Sequence, residues 1–157
     1  ASAAAQLAAE ARWLDHERWR DWLSHCCDDT VVWVPLDTRS PHPGDDQSLF
    51  LDDRRRLDER VWRFLDPNAW ALVPSGTVVR SVSGVEAWPA GPDELVVSSV
   101  LGLQQVRAHR TWATTGRQVH RLRAVPRTEG GTAYLLVHKI MLLPHLEAGS
   151  PHLGWLL

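Results

Sequence analysis

Residues 52–65, DDRRRLDERVWRFL, carry five arginines (54, 55, 56, 60 and 63) against four carboxylates (52, 53, 58 and 59). The stretch nets one positive charge, whereas a grip on phosphate depends on uncompensated Lys and Arg. Spacing shows where the compensation lies. Arg54 with Asp58, Arg55 with Glu59, and Glu59 with Arg63 are i, i+4 neighbours on a helix. Leu57, Val61, Phe64 and Leu65 recur at i, i+4, i+7 and i+8, the apolar stripe of an amphipathic helix. Asp52 and Asp53 stand at its start, where carboxylates accept from free N–H groups and suit the helix dipole. The pattern predicts a core-facing helix over 53–65 with an ion-paired outer face, and argues against nucleic-acid binding.

The rest of the chain fits one folded unit. Its 157 residues carry a net charge of −2, enough for one domain over 1–157 and too few for two. Near-neutral charge gives no reason to expect nucleic acid or an anionic membrane as partner. No apolar run approaches the ~20 residues that span a bilayer. The opening ASAAAQLAAEARW has no basic flank before an apolar stretch, so no secretion signal is read there, and a cytoplasmic protein is expected. Cys26 and Cys27 are adjacent, a strained geometry for a disulfide. With no second pair they lack zinc or iron–sulfur ligand spacing, and they read as two small residues near a helix end. Nine tryptophans stand against one tyrosine. Tryptophan is enriched where surfaces meet, so part of this surface is expected to lie under a partner.

Residues 3–26 read as helical in two pieces with a break near Asp15. Leu7, Ala11 and Leu14 form one stripe; Trp19, Trp22, Leu23 and Cys26 form another. Thr30–Val34 reads as a short strand closed by Pro35, and LDTRSPHPGDDQ as loop. After the 53–65 helix the character changes. Thr77–Trp88, Leu95–Trp112, Arg117–Val125 and Thr132–Leu143 are rich in Val, Leu and Thr, with punctuation at PAGPD, TTG and TEGG. Helices followed by long strands predict an α+β domain, its N-terminal helices packed on one face of a strongly curved antiparallel sheet. ELVVSSVLGL and AYLLVHKIMLL are apolar at nearly every position, where an antiparallel strand with one wet face alternates. Both of their faces are therefore expected to be covered, the second by another subunit or by the sheet folding over itself.

Chemistry is less legible. The eight histidines (16, 25, 42, 109, 120, 138, 145 and 152) are scattered. A non-haem iron triad needs two histidines and a carboxylate on one face, and a Rieske centre needs two cysteines and two histidines; neither pattern is present. No dinucleotide, P-loop, nucleophile-elbow or HExxH motif occurs. His109, His120 and His138 fall on successive predicted strands, where one could pair with Asp52 or Asp53 as a general base. Strand histidines outside a motif are more often structural.

The order of residues in SLFLDDRRRLDERVWRFLDPNAWALVPSGTVVRSVSGVEA resembles the small, beta subunits of aromatic-ring-hydroxylating dioxygenases, which share the cone-shaped fold of nuclear transport factor 2. The matching positions are Asp52, Asp53, Leu57, Arg60, Val61, Pro74, Arg80, Val82 and Val85. Upstream, Leu14-Asp15, Trp22-Leu23, Asp29 and Val34-Pro35 are similar to the family's opening; downstream, Gly116 and Arg117 are similar to its Gly-Arg turn and strand. The likeness runs from about Arg12 to Leu143. Gly84 stands where the family often has asparagine, His120 where it often has an acid, and Pro144 where a last aspartate is common.

The resemblance implies a structural, non-catalytic subunit with no cofactor of its own. A large alpha subunit would carry the Rieske [2Fe–2S] cluster and the mononuclear Fe(II). Three alpha and three beta chains would form a hexamer, with the beta chains associating as a trimer. Dioxygen and electrons from NAD(P)H would serve a dihydroxylation of an aromatic compound. Arg60, Trp62, Arg80, Trp88 and Trp112 are the candidate subunit-interface residues. The alternatives are a stand-alone isomerase or dehydratase on the same fold, or a small-ligand-binding protein using the cone.

Overall fold

A computed structural model describes residues 2–39, 47–68, 76–128 and 130–144. Helices α1 (Ala3–Asp15) and α2 (Trp19–Ser24) precede strands β1 (Cys26–Pro35) and β2 (Ser48–Asp53). Helix α3 (Arg54–Leu65) follows, and then β3 (Thr77–Pro89), β4 (Glu94–Arg107), β5 (Arg110–Pro126) and β6 (Thr132–Leu142). The strands form one unclosed, curved sheet in the order β2-β1-β6-β5-β4-β3. The sheet is mixed rather than wholly antiparallel. β1 lies parallel to β6, with Val31, Val32 and Trp33 opposite His138, Lys139 and Ile140. The whole chain between them makes that crossover, which no local pattern announces.

Helix α3 forms as its sequence directs. The Asp53 side chain accepts from the backbone N–H of Arg56 at 2.9 Å, capping the first turn. Leu57 and Val61 are buried, and outward Arg54–Asp58 and Arg55–Glu59 pair at 3.2 and 2.5 Å. Arg54 also donates to the carbonyl of Cys26 at 2.8 Å, tying the helix to the start of β1. The segment before it is β2, a strand the sequence pattern did not reveal. The core lies between helices and sheet, with Leu7, Leu14, Trp22, Val32, Leu57, Val97, Leu101, Leu122 and Met141 in one cluster.

The long hairpin departs from the expected strand limits. The chain reverses at Ala108-His109 and not at TTG, so Thr114, Thr115 and Gly116 lie inside β5. Ala108 and His109 hold positive φ of 47° and 65°, the conformation of a two-residue hairpin turn that glycine or asparagine normally signals. Gly116 is needed for close packing, because a Cβ there would collide with the carbonyl oxygen of Leu142 on β6. Gly84, at φ +57°, sits in the bulge where β3 shifts register against β4. The two cysteines open β1 rather than closing a helix, and burial pushes the Cys26 thiol up to about 12.

The two faces of α3 are expected to respond differently to substitution. Val61→Asp places an unpaired charge in the core and lowers unfolding stability by several kcal/mol. Arg55→Ala removes an exposed pair and costs about 0.3–0.5 kcal/mol. Urea unfolding of both variants checks this, and similar losses would contradict the facing assigned to the helix.

Candidate functional site

Four polar side chains meet inside the sheet's helix-covered face. Glu10 takes a position in the buried stripe of α1, between Leu7 and Leu14, where Ala11 was expected. Its Oε1 accepts from the indole N–H of Trp22 at 3.0 Å and from the ammonium of Lys139 at 2.9 Å. Its Oε2 lies 2.8 Å from Nε2 of His120. His120 on β5 and Lys139 on β6 are directly opposed across the ladder, so register alone places them side by side. All four side chains are buried. Burial by itself would raise the Glu10 carboxyl, but Lys139, His120 and the hydrogen bonds from His120 and Trp22 outweigh it. The carboxyl is held well below its ordinary range.

A second, part-buried pair lies five residues along α1. Asp15 Oδ1 accepts from the Arg80 guanidinium at 2.7 Å, and its Oδ2 accepts from the Arg80 backbone N–H at 3.0 Å. Asp15 thereby joins the end of α1 to β3.

The sequence-predicted interface residues are spread over the molecule. Arg60 donates to Asp52 Oδ2 at 2.7 Å, so its counter-charge lies in this chain, on β2. The Arg80 side chain is only 3% exposed within its pair with Asp15. Trp62 on α3 and Trp88 near the end of β3 are 68% and 48% exposed. Trp112 is half-buried on β5, opposite Gln105. Of the three strand histidines considered for acid–base work, His109 is in the hairpin turn, His138 is exposed on β6, and His120 pairs with Glu10 rather than Asp52 or Asp53. A lone glutamate amid alanines in the first helix was the available signal for this centre, and it reads equally well as solvated surface.

The donor sets do not suit iron. Among the described residues no three His, Cys, Asp or Glu side chains converge as a metal site, and Glu10 and His120 are committed to each other and to Lys139. Beside them, lined by Gln6, Trp13, His25 and Leu122 among others, the space has room for about one water molecule. No described helix is long and apolar enough to cross a membrane.

Comparison with known proteins gives this arrangement its context. Residues 9–146 match the family model described as ring hydroxylating beta subunit. The chain belongs to that family. It is 30% identical over 148 residues to the small oxygenase component of the p-cumate 2,3-dioxygenase system of Pseudomonas putida, covering 93% of this chain and 79% of that one. It is 32% identical over 85 residues to the benzoate 1,2-dioxygenase subunit beta of Acinetobacter baylyi, a match spanning about half of each chain (51% and 50%). Among solved structures, the beta subunit of the benzoate 1,2-dioxygenase of Burkholderia mallei superposes with a TM-score of 0.74 at 26% identity, covering 94% of this chain and 92% of that one. Naphthalene 1,2-dioxygenase shares the fold, with a TM-score of 0.75 at 23% identity, covering 90% and 77% of the two chains. The α+β, nuclear-transport-factor-2-like architecture expected from the sequence is therefore the one observed.

Breaking the buried centre is expected to be costly. Lys139→Met leaves the Glu10 carboxylate without its lysine and destabilises the fold by about 3–5 kcal/mol. Because the folded Glu10 carboxyl titrates below its ordinary 4.5, its contribution is complete above that value and is lost as pH falls through the lower, folded one. Glu10→Gln is expected to flatten the acid limb of a stability-versus-pH curve relative to wild type. An unchanged acid limb would show that Glu10 is not ionised in the fold.

Proposed function

We propose that this chain is the structural small subunit of a multicomponent Rieske non-haem iron dioxygenase that dihydroxylates an aromatic compound. The family match over residues 9–146 carries the reading. The iron centres would reside in a large alpha subunit, in a cytoplasmic three-plus-three assembly whose beta chains associate as a trimer. In this reading residues 1–157 form one domain and no catalytic group belongs to it.

The face of the sheet away from the helices supports a partner-covered role. Directly opposed residues share a face. Trp33, Ile140 and Val119 make one continuous row across β1, β6 and β5, with Leu142 and Val100 in the adjoining row on either side of Arg117. Ile140, Val119, Leu142 and Val100 are half-exposed in the chain alone. Strands β2 and β3 are the sheet's two edges among the described residues and are not paired with each other, so the sheet stays unclosed. Exposed Trp62 and Trp88 are the further candidate contacts.

One observation favours the alternative of a stand-alone isomerase or dehydratase, namely the buried Glu10–His120 pair inside the cone. The space beside it, about one water molecule in size, is too small for a substrate of that kind.

The decisive experiment is co-expression with a Rieske-bearing large subunit, followed by size-exclusion and sedimentation. The wild-type chain is expected to co-elute with the large subunit and, alone at micromolar concentration, to exceed the 17.7 kDa of a monomer. Val119→Asp is expected to reduce assembly at least tenfold while helix content stays unchanged, and elemental analysis of the isolated chain to give no stoichiometric iron. A monomer that ignores the large subunit, or stoichiometric iron in this chain, would overturn the proposal.

A further inference from the structure

The Glu10 centre leaves one polar atom unaccounted for. His120 is 1% exposed, and its Nδ1 is buried with no hydrogen-bond partner among the described residues. Its other nitrogen is committed. The Glu10 carboxylate already accepts from an indole N–H and from an ammonium, so Nε2 approaches it as a donor. The network thus assigns a proton to Nε2. Nδ1 is the ring atom left over, and a buried polar nitrogen without a partner is unfavourable.

His120 lines the small cleft beneath α1, together with Leu7, Leu122, Trp13, Gln6 and His25. Trp13 and His25 stack with ring centroids 4.1 Å apart. His25 Nδ1 is held by the carbonyl of Asp21 at 2.8 Å. The walls are mostly apolar, and the Glu10 carboxylate among them is already committed to its own donors. They suit a neutral molecule and not an ion. The size is that of one water, and a buried water needs two to four polar partners. Besides Glu10 and Trp22, which bond each other, the polar residues lining the space are His120, Gln6 and His25.

We infer that this cleft is a binding site for one small neutral hydroxyl-bearing molecule of water's size, hydrogen-bonded to Nδ1 of His120. The site fixes the ring that clamps Glu10, and through Glu10 it steadies α1 on the sheet. It stands independently of the dioxygenase reading.

The test uses the full wild-type chain labelled with 15N at histidine. The expected result is a proton on Nε2, an Nδ1 resonance displaced in the direction of a hydrogen bond, and a cross-peak from the Cε1 proton of His120 to a long-lived water. A high-resolution crystal structure is expected to show ordered density within hydrogen-bond distance of Nδ1. An Nε2 without a proton, or an unbonded Nδ1 with neither cross-peak nor density, would overturn the assignment. Titration with phenol distinguishes the source of the hydroxyl. No shift at His120 is expected, and a saturable one would overturn the assignment to a molecule of water's size.

Discussion

Three donors converge on the Glu10 carboxylate: the Trp22 indole from α2, His120 from β5 and Lys139 from β6. The first helix is thereby fastened to the second helix and to the middle of the sheet through one side chain. A buried charge is tolerated only when it is paired and hydrogen-bonded, so none of the four groups is neutral to remove. Asp15, one and a half turns later, repeats the device with Arg80 on β3. Between them, the two carboxylates of α1 set where the helix lies across β3, β5 and β6. The apolar cluster packs around those fixed points.

The sheet's opposite face follows a different logic. Inside, alternate residues of β4 and β5 are buried under the helices. Outside, Val100, Val119, Ile140 and Leu142 keep the strands apolar where water would favour polar groups. Around them Arg121 and Arg123 pair with Glu94, and Arg123 also pairs with Asp29, while Arg117 stands within the row itself. An apolar row framed by self-compensated charge costs little to desolvate when a protein surface covers it.

Family membership and the interior agree on the division of labour. The relatives bear the names of small or beta subunits of dioxygenases, and the buried Glu10 of this chain is held by its own salt-bridged neighbours. Fold by itself would leave function open, since one scaffold hosts many activities. The closure of the interior around Glu10 narrows it.

Local physics was enough to read α3, its Asp53 cap, the buried Leu57 and Val61 and the Arg54–Asp58 and Arg55–Glu59 pairs, because helix periodicity and capping are encoded within a few residues, although Leu65 of the expected stripe is exposed. The break near Asp15 and the limits of β3 and β6 were legible for the same reason, as was the family resemblance carried by residue order. Tertiary structure decided the rest. The reversal at Ala108-His109 lacks the glycine or asparagine that marks such turns, and Gly116 looked like a turn although its small size serves the packing of β5 on β6. The parallel pairing of β1 with β6 joins residues about a hundred positions apart. Arg60 finds Asp52 eight positions back because β2 runs into α3, and not through a helical repeat. The Glu10 centre draws on four elements and on sheet register. Separations of 110 and 129 residues leave no periodic trace, because only the folded sheet makes those side chains neighbours.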